Sequence, residues 1–272
     1  MKKAIFFDID GTLIDCMKGD LDITPSVKAA IHNIQQSGDY AFIATGRPYA
    51  LLYDDLLNFG FDGFVLSNGA TVIVKDEIIH SEAIEKAFIA NLVKQLEKNN
   101  LQYILQGEVY SYLKDNFSDF YEYYDSIGVS RKYFKSEYDI NEIDIHKLEI
   151  LCPDDESMEF CIELIKDNPE CDYFSSINKK AIEIYLKKNT KGSAILKIAD
   201  HLDIKIENTY AFGDGKNDIE MLSTVGCGIA MGNANEEVKK YADKITESVH
   251  EDGVAIGIEK YIYKNIKLKE MI

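Results

Sequence analysis

The chain has 272 residues, 46% of them apolar, and its 30 basic and 47 acidic side chains give a net charge of −17. That apolar content excludes a disordered chain, and no apolar run approaches the roughly 18 residues that span a bilayer. The acidic balance repels polyanions and argues against nucleic acid as a partner. The opening MKKAIFF is cut by Asp8, short of the about 7 to 15 apolar residues of a secretory segment. A soluble, cytoplasmic protein without a membrane partner is expected.

In chain order, AIFFDID at 4–10 is a short apolar run that stops at polar residues. A helix follows, with Val27, Ala30, Ile31 and Ile34 at helical spacing, Thr24 as N-cap, Pro25 at its first position and Gly38 past its end. YAFIATG at 40–46 and GFVLSNG at 63–69 repeat the first pattern. Such continuous runs suit strands buried on both faces of a parallel sheet. Asp39, at the start of the second run, is expected to be exposed.

From about residue 82 the pattern changes. EKAFIANLVKQLEKN at 85–99 reads as helix, LQYIL at 101–105 and VYSYL at 109–113 as strands, and FSDFYEYYDS at 117–126 as helix. HKLEILC at 146–152 and AIEIYL at 181–186 read as strands flanking a helical ESMEFCIELIKD at 156–167. From 189 the first pattern returns. Ile195, Ile198, Ala199 and Leu202 have helical spacing, and TYAFGDG at 209–215 and GCGIAMG at 226–232 are strand runs. The expected fold is α/β: a parallel-sheet domain made of 1–81 and 189–272, interrupted by an α+β insert at 82–188.

The five cysteines (Cys16, Cys152, Cys161, Cys171, Cys227) are odd in number and form no CxxC or Cys/His pairing. Reduced cysteines serving as small core residues are expected. The five histidines (His32, His80, His146, His201, His250) form no HxH or HExxH pair and read as surface or packing residues.

Ligands of open α/β sheets sit at the carboxyl ends of the strands. Here those ends carry Asp8, Asp10, Thr45, Asn68, Asp214 and Asp218. Carboxylates brought together repel one another and raise one another's pKa unless a cation neutralises them. An oxygen-rich set of this kind favours Mg²⁺.

FFDIDGTL at 6–13 resembles the first motif of the haloacid dehalogenase (HAD) superfamily, FIATGRP at 42–48 its second, NTKGSAI at 189–195 its lysine motif and FGDGKNDIEML at 212–222 its fourth. GIAMGNA at 228–234 and EDGVA at 251–255 complete a pattern similar to the Cof-type sugar-phosphatase branch. The resemblance implies a Rossmann-like core and a mobile type IIB cap of αββαβαββ-like order that closes over the substrate.

It also implies roles. Asp8 would be the nucleophile, forming an aspartyl-phosphate, and Asp10 the acid and then the base. Mg²⁺ would be held by the Asp8 carboxylate, the Asp10 carbonyl and Asp214, while Asp218 would orient metal-bound water or Lys191. Lys191, the Thr45 hydroxyl, the Ile9 and Gly46 amides and the Asn217 side chain would bind phosphate. Arg47 would line the entrance. Asn68 would touch the leaving group, or else only stabilise its turn. Tyr121, Tyr123, Tyr124, Tyr133 and Tyr138 would either line a substrate pocket or build the cap core.

The implied function is Mg²⁺-dependent hydrolysis of a small phosphorylated metabolite by a monomer or homodimer. Sugar phosphates come first as substrates, and pyridoxal phosphate or FMN next. A phosphomutase needing a bisphosphate activator is the nearest alternative, and a non-catalytic phospho-ligand sensor the other. The intact Asp10 argues against the sensor, because binding alone does not need an acid/base.

Overall fold

The computed structural model describes residues 1–176 and 180–263. In chain order the elements begin β1 (Ala4–Phe7), α1 (Pro25–Gln36), β2 (Tyr40–Ala44), α2 (Asp54–Asn58), β3 (Gly63–Leu66), β4 (Thr71–Val74) and β5 (Glu77–Ser81). They continue with α3 (Lys86–Lys98), β6 (Tyr103–Gly107), β7 (Ser111–Tyr112), α4 (Ser118–Ser126), β8 (Phe134–Lys135), β9 (Ile145–Leu151), α5 (Asp155–Ile165), β10 (Cys171–Ser176) and β11 (Ala181–Leu186). The last are α6 (Lys191–His201), β12 (Thr209–Gly213), α7 (Ile219–Thr224), β13 (Cys227–Ala230), α8 (Glu236–Lys239), β14 (Lys244–Ile245) and α9 (Gly253–Gly257).

The chain divides into two compact units. One comprises Met1–Gly46, Phe59–Ile79 and Thr190–Ile272, and the other Arg47–Asn58 and His80–Asn189. The second unit therefore takes in Arg47–Asn58, a stretch that the sequence pattern places with the parallel-sheet domain.

Among the described residues, the first unit is built on a sheet of order β14-β13-β12-β1-β2-β3-β4-β5. It is parallel from β14 to β3, and β4 then pairs antiparallel with β3. The central strands are buried on both faces. Phe6 stacks on Phe42 at 5.2 Å between ring centroids, and Phe7 on Phe212 at 5.4 Å. Phe6, Phe42, Ile195, Ile198, Met221 and Leu222 share one core cluster, which seats α6 and α7 on one face of the sheet. Helix α1 starts as its sequence dictates: Thr24 Oγ1 accepts the Val27 amide at 3.3 Å, and Val27, Ala30, Ile31 and Ile34 are buried. Gly38 follows with φ +82°, a conformation that glycine adopts without strain.

Asp39 is buried, contrary to expectation. It accepts the Lys3 amide at 2.8 Å and the Tyr263 hydroxyl, and lies 3.7 Å from the Lys3 ammonium. A carboxylate satisfied this way can be buried at the start of a strand.

The second unit is a sheet of order β10-β11-β9-β6-β7-β8, antiparallel throughout except for the β7–β8 pair. From α3 onward its elements run αββαββαββ among the described residues, one short strand (β8) more than the expected order. Alternation sends Tyr103, Leu105, Leu148, Ile150, Ile182 and Ile184 into an apolar core. The opposite side of the pleat carries Lys147, bonded to Glu183 at 2.7 Å, and Glu149, which accepts the Tyr124 hydroxyl at 2.9 Å. Of the five tyrosines singled out above, Tyr124 is buried, and Tyr121, Tyr123, Tyr133 and Tyr138 are half-buried.

All five cysteines are free, with Cys152, Cys161 and Cys171 buried and Cys16 and Cys227 half-buried. His146 is buried, its Nε2 2.8 Å from Ser81 Oγ. No helix among the described residues is long and apolar enough to cross a membrane.

Candidate active site

The site begins where β1 and β12 end side by side. Their register pairs Phe7 with Phe212, and the Asp8 amide continues the ladder onto the Phe212 carbonyl at 3.0 Å. Asp8 and Asp214 therefore leave neighbouring strands at the same edge. After Asp8 the chain turns sharply, and the Ile9 carbonyl accepts the amides of Thr12, Leu13 and Ile14 at 3.2, 2.9 and 3.1 Å. Gly11 sits in that turn at φ +90°, and a Cβ placed on it would lie 2.3 Å from Asp214 Oδ2. Only glycine meets both the torsion and the space.

Lys191 is the first residue of α6. Thr190 caps that helix, accepting the Ser193 amide at 3.0 Å. The lysine is wholly buried and its ammonium bridges two carboxylates, Asp8 Oδ1 at 2.6 Å and Asp218 Oδ1 at 2.5 Å. The other oxygen of Asp218 accepts the amides of Asp214 at 2.9 Å and Gly215 at 2.8 Å. Asp218 thus fixes both the lysine and the turn that presents Asp214. Thr12 Oγ1 donates to Asp214 Oδ1 at 3.0 Å.

Asp8, Asp214 and Asp218 offer carboxylate oxygens within 4.8 Å of one another. Burial, then the Asp218 charge, hold the Asp8 carboxyl well above the usual range, with Lys191 offsetting part of the rise. Asp214 is pushed up to about 6, chiefly by burial and then by Asp218. Burial pulls the Lys191 ammonium down, but Asp218 and Asp8 overcome that and hold it above its ordinary value.

The centre thus carries more negative charge than one ammonium balances. An all-oxygen set of carboxylates with surplus negative charge fits a hard divalent cation such as Mg²⁺, which the Asp8, Asp214 and Asp218 group could hold. Both Asp218 oxygens are already engaged by the lysine and the two amides.

Asp10 is half-buried, its backbone bridged to Ile14, and its charge acts on both Asp8 and Asp214. Thr45, Gly46, Asn68 and Asn217 form a second group in the same unit. The Asn68 amide donates to the Thr45 carbonyl at 3.0 Å, and the Asn217 side chain donates to Asn68 Oδ1 at 3.1 Å. A Cβ on Gly46 would lie 3.1 Å from Asn68 Oδ1, so the TG turn passes directly over that asparagine. Asn68 itself has φ +56°, which an asparagine tolerates in a turn.

Arg47 falls in the second unit. Its guanidinium donates to the Leu51 carbonyl at 3.0 Å and lies 4.7 Å from the Tyr53 ring centre. Two residues at the centre went unassigned in the sequence, Thr12 and Asn233. Asn233 Nδ2 donates to the Gly11 carbonyl at 2.8 Å and to Asp214 Oδ2 at 3.3 Å. Both lie inside recognised motifs, DGT and MGNA, and that position was their only signal.

A family model described as haloacid dehalogenase-like hydrolase matches residues 5–258. YkrA of Bacillus subtilis is 30% identical over 260 residues, which cover 95% of this chain and 97% of YkrA. The HMP-PP phosphatase of Yersinia enterocolitica is 26% identical over 273 residues, covering 96% of each chain. Among solved structures, the HAD subclass IIB sugar phosphatase BT4131 is 30% identical with a TM-score of 0.77, covering 94% of this chain and 98% of its own.

Proposed function

The chain belongs to the haloacid dehalogenase-like hydrolases and is a phosphatase of their IIB branch, and we propose that it hydrolyses small phosphomonoesters, sugar phosphates foremost, with Asp8 as the nucleophile. Pyridoxal phosphate and FMN are the next substrates in order. One observation carries the reading: the buried Lys191 ammonium bridges Asp8 and Asp218 beside Asp214, above a turn only glycine can make.

In the first step an Asp8 oxygen attacks phosphorus, and the bond from phosphorus to the leaving oxygen breaks. Asp10 gives its proton to that oxygen, and the phosphoryl group is left on Asp8. In the second step Asp10 takes a proton from water as its oxygen attacks the same phosphorus, releasing inorganic phosphate and restoring the Asp8 carboxylate. Lys191 stays charged beside the transferring oxygens, and Asp218 holds it there. Mg²⁺, which Asp8, Asp214 and the Asp10 carbonyl would hold, would supply positive charge against which an anionic nucleophile can approach an anionic ester.

The Ile9 and Gly46 amides, the Thr45 hydroxyl and the Asn217 side chain donate to the phosphoryl oxygens, and Asn68 contacts the leaving group. Substrate selection falls to the insert at 82–188. Support for the substrate class comes from relatives whose names specify different small phosphorylated molecules. BT4131 is a sugar phosphatase, and YcsE of Bacillus subtilis, 27% identical over 274 residues, a 5-amino-6-(5-phospho-D-ribitylamino)uracil phosphatase.

The test is inorganic phosphate release, with Mg²⁺, from a panel of hexose and pentose phosphates, pyridoxal phosphate, FMN and nucleotides. Release from several sugar phosphates, with the highest kcat/KM among them, is expected. No release by folded protein in Mg²⁺ would overturn the reading.

A further inference from the structure

Asp214 is held at both carboxylate oxygens by neutral donors from two other loops. The Thr12 hydroxyl donates to Oδ1 at 3.0 Å, and the Asn233 amide to Oδ2 at 3.3 Å. The same Asn233 nitrogen donates to the Gly11 carbonyl at 2.8 Å, and Asn233 Oδ1 accepts the Val249 amide at 2.9 Å. An asparagine that merely stabilises its own turn bonds backbone about two residues away. The partners of Asn233 lie 16, 19 and 222 positions away. One side chain thus joins the turn after β1, the end of β12, the loop after β13 and the segment before α9.

The kind of donor matters. Asp8 and Asp218 are bonded to a charged lysine. The donors on Asp214 are a hydroxyl and an amide, which fix the carboxylate plane without cancelling its charge. Each carboxylate oxygen has two lone pairs, so each keeps one for a further partner.

We propose that Asn233 is a positioning residue for the cation site. Together with Thr12 it pre-orients Asp214, and through Val249 it ties that orientation to the segment before α9. The inference rests on the reading of Asp214 as a cation ligand. Partners of this kind, which orient a ligand without touching the metal, change affinity by about 10- to 100-fold when removed.

The test is calorimetric titration of the full chain with Mg²⁺ alone, beside a melt in EDTA, for wild type, Asn233→Ala and Thr12→Val. A Mg²⁺ Kd about 10- to 100-fold weaker in both variants is expected, with the Tm in EDTA within a few degrees of wild type. Weakening of less than about threefold in Asn233→Ala would overturn the proposal, as would weakening accompanied by a Tm in EDTA more than about 5 °C lower, which a merely structural asparagine would give. If Asn233→Ala does not fold, Asn233→Ser replaces it under the same thresholds. Wild type that binds no Mg²⁺ overturns the proposal. Wild type that binds Mg²⁺ but releases no phosphate overturns the phosphatase reading instead, because the titration does not depend on turnover.

Discussion

Lys191 and Asp218 meet at 2.5 Å where neither side chain is exposed to solvent at all. Asp8 shares the same ammonium at 2.6 Å. A buried charge is tolerable only while a partner remains, and leaving one without any counter-charge costs about 3 to 5 kcal/mol. Lys191→Met leaves two carboxylates without their common cation. Stability measured by urea unfolding is expected to fall by that amount, and kcat/KM to fall on the order of 10³-fold. Asp218→Asn also removes the acceptor for the Asp214 and Gly215 amides or rotates it away from Lys191. It is expected to lose both activity and stability, and an Asp218→Asn protein with wild-type turnover would show that the lysine needs no orienting partner.

Asp8→Asn separates chemistry from stability. The proposed nucleophile is lost, so turnover is expected to fall about 10⁴-fold or more. Its carboxyl is held well above the usual range by burial and by Asp218. A carboxylate whose folded pKa is raised is a cost to the folded state at neutral pH. The asparagine removes that cost while Lys191 keeps Asp218, so the Tm in EDTA is expected to rise. A lower Tm with retained activity would place the nucleophile elsewhere.

These contrasts show what the sequence made visible. The strands ending at Asp8, Thr45, Asn68 and Asp214 were legible because burial on both faces demands continuous apolar runs, and polar residues end each run abruptly. β5 and β10 were not, because Glu77 and Ile78, and likewise Asp172 and Phe174, are exposed in them, so neither shows a continuous run. The roles of Asp39 and Thr12 were also hidden. Tyr263, a partner of Asp39, lies 224 positions away, and Asp214, the partner of Thr12, lies 202 away. Local pattern carries no information about pairs so distant in the chain. Lys191 sits in an ordinary capped helix start, and neither propensity nor periodicity hints that it is wholly buried.

Gly11→Ala tests the floor of the site. The torsion of +90° strains any other residue, and the new Cβ would press on Asp214 Oδ2 from 2.3 Å. Strain of this kind costs about 1 to 3 kcal/mol. The variant is expected to fold with a reduced Tm, and to lose most of the Tm increase that Mg²⁺ gives wild type. An unchanged Mg²⁺-induced increase would mean that the Asp214 carboxylate is not part of the cation site.

The pH dependence of stability follows from Asp214, whose carboxyl is pushed up to about 6 from an ordinary 3.8. Between those values the folded state binds more protons than the unfolded state, so without metal this group's contribution to stability declines as pH rises from about 4 to about 6. Asp8 is displaced in the same direction. A cation on these carboxylates competes with the proton and favours the ionised form. Mg²⁺ should therefore stabilise little at about pH 5 and progressively more through about pH 6 to 7. Parallel melts in EDTA and in Mg²⁺ isolate the effect, because groups remote from the centre contribute equally to both. A gap between the two curves that stays constant across this window would mean that the cation does not sit on the carboxylates whose pKa the burial raises.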